Sequence, residues 1–124
     1  MSAGENWVVP QIAGLEALAD QYDGYIIDLW GTVHDGVNPY PGALECLRAL
    51  RNAGKRVVML SNAPRPAAVI ATQLEGFGVD RSLYSGVMTS GKETNSQMKE
   101  KADPWFARLG GRVLHTGGVP DLGL

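Results

Sequence analysis

The sequence predicts an α/β fold, a parallel sheet in a three-layer sandwich. Three observations carry that prediction. Short apolar runs at 25–29 (YIIDL), 56–60 (RVVML) and 84–88 (YSGVM) are each followed by a stretch with helical spacing; such runs suit strands of a parallel sheet, which is covered on both faces. The sixteen glycines recur between these segments and do not gather in one linker. The resulting order, β-α-β-α-β-α-β, calls for a parallel sheet with right-handed crossovers.

Each element has its own signal. Residues 15–20 read as a short helix. The run 25–29 holds one carboxylate, Asp28, at its end. Residues 31–41 are punctuated by glycine and proline and read as a loop or tight hairpin. Ala43, Leu47 and Leu50 then fall on one stripe with Leu44, Cys46 and Ala53 beside it, an amphipathic helix with Pro41 near its start and Gly54 just past its end. After the strand 56–60, Pro66 opens a helix that carries Ala67, Ile70, Ala71 and Leu74 and stops near Gly76 or Gly78. The third strand is placed at 84–88. Ser90 and Glu93 have capping-box spacing, so Ser90 is expected to cap the next helix. Met98, Ala102, Trp105, Phe106 and Leu109 continue at helical spacing, but Pro104 breaks the run. Two helices are therefore expected, the second capped by Asp103, with Trp105 and Phe106 in the core. Residues 112–115 read as a last strand.

Composition narrows the function. The 124 residues suffice for one domain with a real core. Eleven Lys and Arg against thirteen Asp and Glu exclude the basic surplus of a dedicated nucleic-acid binder. No apolar stretch is long enough to span a membrane and no secretory leader is visible. Cys46 is the single cysteine, so no internal disulfide forms; it is expected to be buried and inert. The expectation is a soluble cytoplasmic protein with no nucleic-acid or membrane partner.

Ligands of an open parallel sheet collect at the carboxyl ends of its strands. Three such ends carry polar groups here: Asp28, Ser61 with Asn62, and Thr89-Ser90-Gly91. A carboxylate after Tyr-Ile-Ile is costly to bury without a partner. It suits a covalent nucleophile or a Mg²⁺ ligand; a turn-capping role is the plain alternative. Ser61 and Asn62 can hold phosphate oxygens beside the next helix N-terminus, or simply cap that helix. His115 is expected to be structural, because no second ligand sits at metal spacing. Lys92 and Lys99 read as solvated helix charges.

Taken together and in order, these motifs resemble the haloacid dehalogenase-like (HAD) hydrolase superfamily. The first motif reads Asp28-Leu29-Trp30-Gly31-Thr32 and the second Val57-Val58-Met59-Leu60-Ser61-Asn62. Val33-His34-Asp35-Gly36, Ala63-Pro64-Arg65 and Thr89-Ser90-Gly91 are similar to the branch whose cap follows the second motif, the class IIA or C2-cap group. The resemblance runs from about Tyr25 to the end. It implies a Rossmannoid core and a Mg²⁺-dependent phosphatase acting on a small phosphorylated metabolite. Asp28 would be the nucleophile, forming an aspartyl-phosphate. Asp28 and the Trp30 backbone carbonyl would bind Mg²⁺. Ser61, Asn62 and Arg65 would bind phosphate, with backbone amides of 29–32 facing the same oxygens.

Two departures shape the expectation. Trp30 stands where the family's phosphatases place a second Asp, and indole is only a donor. That motivates a dehalogenase-like hydrolase on carbon as one alternative; His34 or Asp35 standing in as the acid is another. The family's later Lys and acidic motifs would follow the cap, and residues 1–124 are read as the amino-terminal half of the core, without cap or carboxy-terminal half. The isolated chain is then expected to be inactive, with an exposed sheet edge open to self-association. A non-catalytic module that binds a phospho-ligand or a partner is the remaining alternative.

Overall fold

The computed structural model describes residues 9–112, 114 and 116–118. Their order is α1 (Glu16–Ala19), β1 (Gly24–Asp28), α2 (Ala43–Asn52), β2 (Arg56–Ser61), α3 (Ala67–Gly76), a 3-10 turn (Arg81–Leu83), β3 (Gly86–Thr89), α4 (Ser90–Glu100) and α5 (Pro104–Ala107). The three strands form one parallel sheet in the order β1-β2-β3. The α/β reading is thus realised, with helices flanking a parallel sheet. The expected last strand at 112–115 is not a strand at Arg112 or Leu114; Val113 and His115 lie outside the described residues.

Alternation decides which side chains are covered. Tyr25, Ile27, Val57, Met59 and Val87 turn to one face and pack with Leu47 and Leu50 of α2 and Ile70 and Leu74 of α3. Met59 and Leu74 are fully buried at the centre. Ile26, Val58, Leu60 and Met88 turn to the other face and are exposed, Ile26 to 74%. Among the described residues β1 is an edge strand and β2 the central one. A cleft of about 450 Å³ runs along the free side of β1, between it and α2, touching Leu15, Tyr25, Ile27, Tyr40 and Cys46. Cys46 is half-buried there, and burial raises its thiol pKa, with Glu16 adding to the effect.

Both central helices end in the same way. Lys55 N–H reaches Leu50 O and Gly54 N–H reaches Arg51 O after α2, while Val79 N–H reaches Leu74 O and Gly78 N–H reaches Glu75 O after α3, all at 2.9 Å. Gly54 and Gly78 sit at φ +71° and +80°, the left-handed position that this pair of bonds requires. Val79 is driven into the core just past the second end.

Three details differ from expectation. β3 starts at Gly86, two residues later than expected, although Ser85 N–H already donates to Val57 O at 2.7 Å; before it lies a 3-10 turn that Asp80 opens by accepting from Ser82 N–H. α4 is capped by Thr89, whose Oγ1 accepts from Lys92 N–H at 3.0 Å; the cap is therefore one residue before Ser90, and Glu93 instead accepts from Gln97 Nε2. Trp105 and Phe106 are outside the core. They meet edge-to-face at 4.9 Å on the short helix α5, with Trp105 exposed. Asp103 does cap that helix, accepting from Trp105 N–H at 2.7 Å.

Candidate active site at the carboxyl rim of the sheet

The carboxyl ends of all three strands meet at one rim. Asp28 is register partner to Leu60, and Ser61 to Thr89, so Asp28 and Ser61 end neighbouring strands one residue out of step. Pleating sends Asp28 to the side of Leu60 and Ser61 to the side of Met59 and Thr89. A ligand reached by both must therefore sit over the rim, above the strand ends, and not on either face. Asp28 is exposed, and no hydrogen bond or ion pair engages its carboxylate among the described residues. The turn-capping alternative for Asp28 is thereby removed.

The loop after β1 folds on itself. Leu29 is 1% exposed and Val33 2%, so two apolar side chains pull the loop into the core. The Leu29 carbonyl accepts from the amides of Thr32, Val33 and His34 at 3.3, 2.8 and 3.1 Å. Gly31 N–H donates to His34 O and Tyr40 N–H to Val33 O, both at 2.9 Å. His34 also bridges to Pro39, which gives the expected hairpin. Two of the backbone amides expected to face phosphate, those of Gly31 and Thr32, are thus spent on the loop itself.

His34 and Asp35 serve this loop as well. His34 is 4% exposed, and its Nδ1 accepts from Gly36 N–H at 2.9 Å. Its ring lies 4.8 Å from that of Phe77 and 5.9 Å from that of Trp30. Burial lowers its pKa, against the opposing pull of Asp35 and Asp28. Asp35 Oδ1 accepts from the amides of Val37 and Asn38 at 2.8 and 2.7 Å, and these bonds, that to Asn38 foremost, lower its pKa. Both groups are thus engaged by amides of their own loop. Trp30 is 68% exposed, and its ring lies against Gly36, where a Cβ would come within 2.3 Å of it.

The loop after β2 is built differently. Ser61 Oγ accepts from Ala63 N–H at 3.2 Å, which leaves its own proton for a ligand. Asn62 Oδ1 accepts from Ser90 Oγ at 2.6 Å, which leaves its NH₂ group. Neither caps α3, whose N-cap is Pro66 with no side-chain bond. The plain alternative for this pair is thereby removed too. Arg65 precedes the first turn of α3 and does not belong to it; its side chain is exposed, without a partner among the described residues, while its carbonyl accepts from Thr89 Oγ1 at 2.7 Å. Lys92 and Lys99 are exposed on α4, as solvated charges.

The donors present suit a hard divalent cation in part. Asp28 offers a carboxylate and Trp30 a backbone carbonyl, both oxygen ligands of the kind Mg²⁺ prefers. No cluster of three or more His, Cys, Asp or Glu side chains with metal-binding geometry occurs among the described residues. The remaining positions of such a shell would fall to water and to phosphate oxygens. Thr89-Ser90-Gly91 was expected at this rim, with Ser90 as a helix cap; its bond to Asn62 was not anticipated.

Comparison with known proteins fits this geometry. A family model described as haloacid dehalogenase-like hydrolase matches residues 25–122. Sugar-phosphatase AraL of Bacillus subtilis (strain 168) is 37% identical over 68 residues, 54% of this chain and 25% of that protein. A haloacid dehalogenase-like hydrolase from Brucella suis 1330 superposes with a TM-score of 0.64 at 33% identity, over 75% of this chain and 35% of that one. A hypothetical protein from Pyrococcus horikoshii OT3 gives 0.55 at 27% identity, over 67% and 32%. The chain thus spans a quarter to about a third of the length of these relatives. No helix among the described residues is long and apolar enough to cross a membrane.

Proposed function

The chain belongs to the haloacid dehalogenase-like hydrolase family, and from that premise we propose that it carries the nucleophile half of a phosphatase site for small phosphorylated metabolites. One observation supports this above all: an unengaged carboxylate, Asp28, shares a rim with two free donors, the Ser61 hydroxyl and the Asn62 NH₂ group. The sugar-phosphatase relative supports a phosphorylated small molecule as the substrate class.

In this reading a phosphomonoester binds over the rim, with its oxygens held by Ser61, Asn62 and the Arg65 guanidinium. An Asp28 oxygen attacks phosphorus, the bond to the leaving oxygen breaks, and an aspartyl-phosphate forms. Water then cleaves that intermediate, releasing phosphate and restoring Asp28. Mg²⁺, held by Asp28 and the Trp30 carbonyl, would neutralise charge on the phosphoryl oxygens. Positioning and charge stabilisation supply most of the rate. Trp30 offers no acid for the leaving group, so its proton comes from water. We further propose that residues 1–124 are an amino-terminal portion of the core. Turnover then needs groups supplied from elsewhere, and the free side of β1 is open to self-association. A cytoplasmic setting belongs to the same reading.

The test is titration of the chain with inorganic phosphate and Mg²⁺, followed by backbone amide signals, beside an assay with p-nitrophenyl phosphate. Saturable shifts at Ser61, Asn62 and Ala63 without turnover are expected. Absence of shifts at the rim would overturn the phosphate reading. Turnover that Asp28→Asn abolishes would keep the nucleophile and overturn the proposal of incompleteness. Trp30 favours a second reading, hydrolysis on carbon. Activity on 2-haloacids that persists in EDTA would replace the first reading with this one.

A further inference from the structure

The four residues after Ser61 are each held by one of three consecutive residues, 89–91, at the junction of β3 and α4. Ser90 Oγ donates to Asn62 Oδ1 at 2.6 Å across 28 positions of sequence. Gly91 N–H donates to Ala63 O at 3.1 Å. A Cβ on Gly91 would lie 2.1 Å from Pro64 O and 2.3 Å from Pro64 C, so the loop backbone rests directly on the first turn of α4. Thr89 Oγ1, fully buried, donates to Arg65 O at 2.7 Å and accepts from Lys92 N–H at 3.0 Å. Among the described residues the loop supplies little of its own, only the bond from Ala63 N–H to Ser61 Oγ.

We propose that Ser90 is a positioning residue of the rim, fixing the Asn62 carboxamide so that its NH₂ group is aimed at a phosphate before the phosphate arrives. The proposal rests on the phosphate reading of the rim and adds the residue that orients it. A carboxamide has one acceptor end and one donor end. The Ser90 hydroxyl takes the acceptor end, which turns the donor end away from α4. An exposed Asn with free rotamers must be ordered on binding; one already held does not bear that entropy cost. Thr89 and Gly91 hold the backbone of the same loop, so Ser90 acts on a fixed frame.

The experiment uses the whole chain with inorganic phosphate as the probe, at constant Mg²⁺. Dissociation constants are measured for the wild type, Ser90→Ala, Ser90→Thr, Asn62→Ala and the Ser90→Ala/Asn62→Ala pair. Ser90→Ala is expected to weaken binding roughly three- to tenfold, with the Asn62 side-chain NH₂ signals moving toward those of a free carboxamide. Ser90→Thr keeps the hydroxyl and restores both. In the Asn62→Ala background, Ser90→Ala should add nothing, because the group it orients is gone. Equal loss in both backgrounds, or wild-type affinity in Ser90→Ala, overturns the positioning role while the phosphate reading stands. No phosphate binding by the wild type removes the reading and this proposal together.

Discussion

The two loops that form the rim are held by opposite means. The loop after β1 is self-sufficient: the Leu29 carbonyl gathers three amides, Asp35 and His34 satisfy the turn, and Leu29 and Val33 anchor it in the core. The loop after β2 borrows its shape from residues 89–91, a strand and a helix further along the chain. Local hydrogen bonds therefore shape the carboxylate side of the rim, and hydrogen bonds from a distant segment shape the phosphate side. The first should survive damage to β3 and α4; the second should not.

Leu29→Ala is the largest expected blow. Its side chain is buried within the cluster that includes Met59 and Val33, so truncation should cost about 2–5 kcal/mol, read as a lower urea midpoint. Gly91→Ala comes next. In an ordinary helix position that change stabilises by about 1 kcal/mol. Here the new Cβ meets the Pro64 backbone, so a net loss of roughly 1–3 kcal/mol is expected, with amide signals of 62–65 shifting and those of 31–38 staying put. A stabilised Gly91→Ala, or shifts confined to 31–38, would break the contrast between the loops.

That contrast also explains what could be read in advance. Asp28 and Ser61 were legible because each ends an apolar run, and strand ends of a parallel sheet share a rim. The turn bonds of Asp35 were within reach, since an Asp accepts from amides two and three residues on. The Ser90–Asn62 bond was not, because nothing local links residues 28 positions apart. The Thr89 cap was missed for a related reason. Both Thr89 and Ser90 suit a cap, and only the pull of the Arg65 carbonyl on Thr89 shows which of them turns inward. Trp105 and Phe106 had helical spacing, but the four-residue helix that begins at Pro104 offers the core no face.

The smallest expected effect separates the two loops by pH. His34 is buried as a neutral imidazole whose Nδ1 must accept from Gly36 N–H; a proton there removes the acceptor. Desolvation holds its pKa below the ordinary 6.5, with Asp35 and Asp28 opposing that shift only in part. The unfolded chain then binds the proton first, so this contribution is whole above pH 6.5 and fades as pH falls from there through the lowered folded value. Asp35 acts in a more acid window. Its bonds to the Asn38 and Val37 amides lower its pKa, so its contribution is whole above the ordinary carboxylate value and is lost as pH falls through the folded one. Thermal melts between about pH 7 and pH 5 should therefore show a declining Tm, and His34→Gln, which cannot charge, should flatten the slope. The amides of 31–38 should lose hydrogen-exchange protection over that range before those of Gly91 and Lys92. The loop after β2 has no titrating group among its described bonds, only hydroxyls, a carboxamide and backbone. Loss of protection at Gly91 first, or an unchanged slope in His34→Gln, would show that the loop after β1 is not the self-contained unit its hydrogen bonds describe.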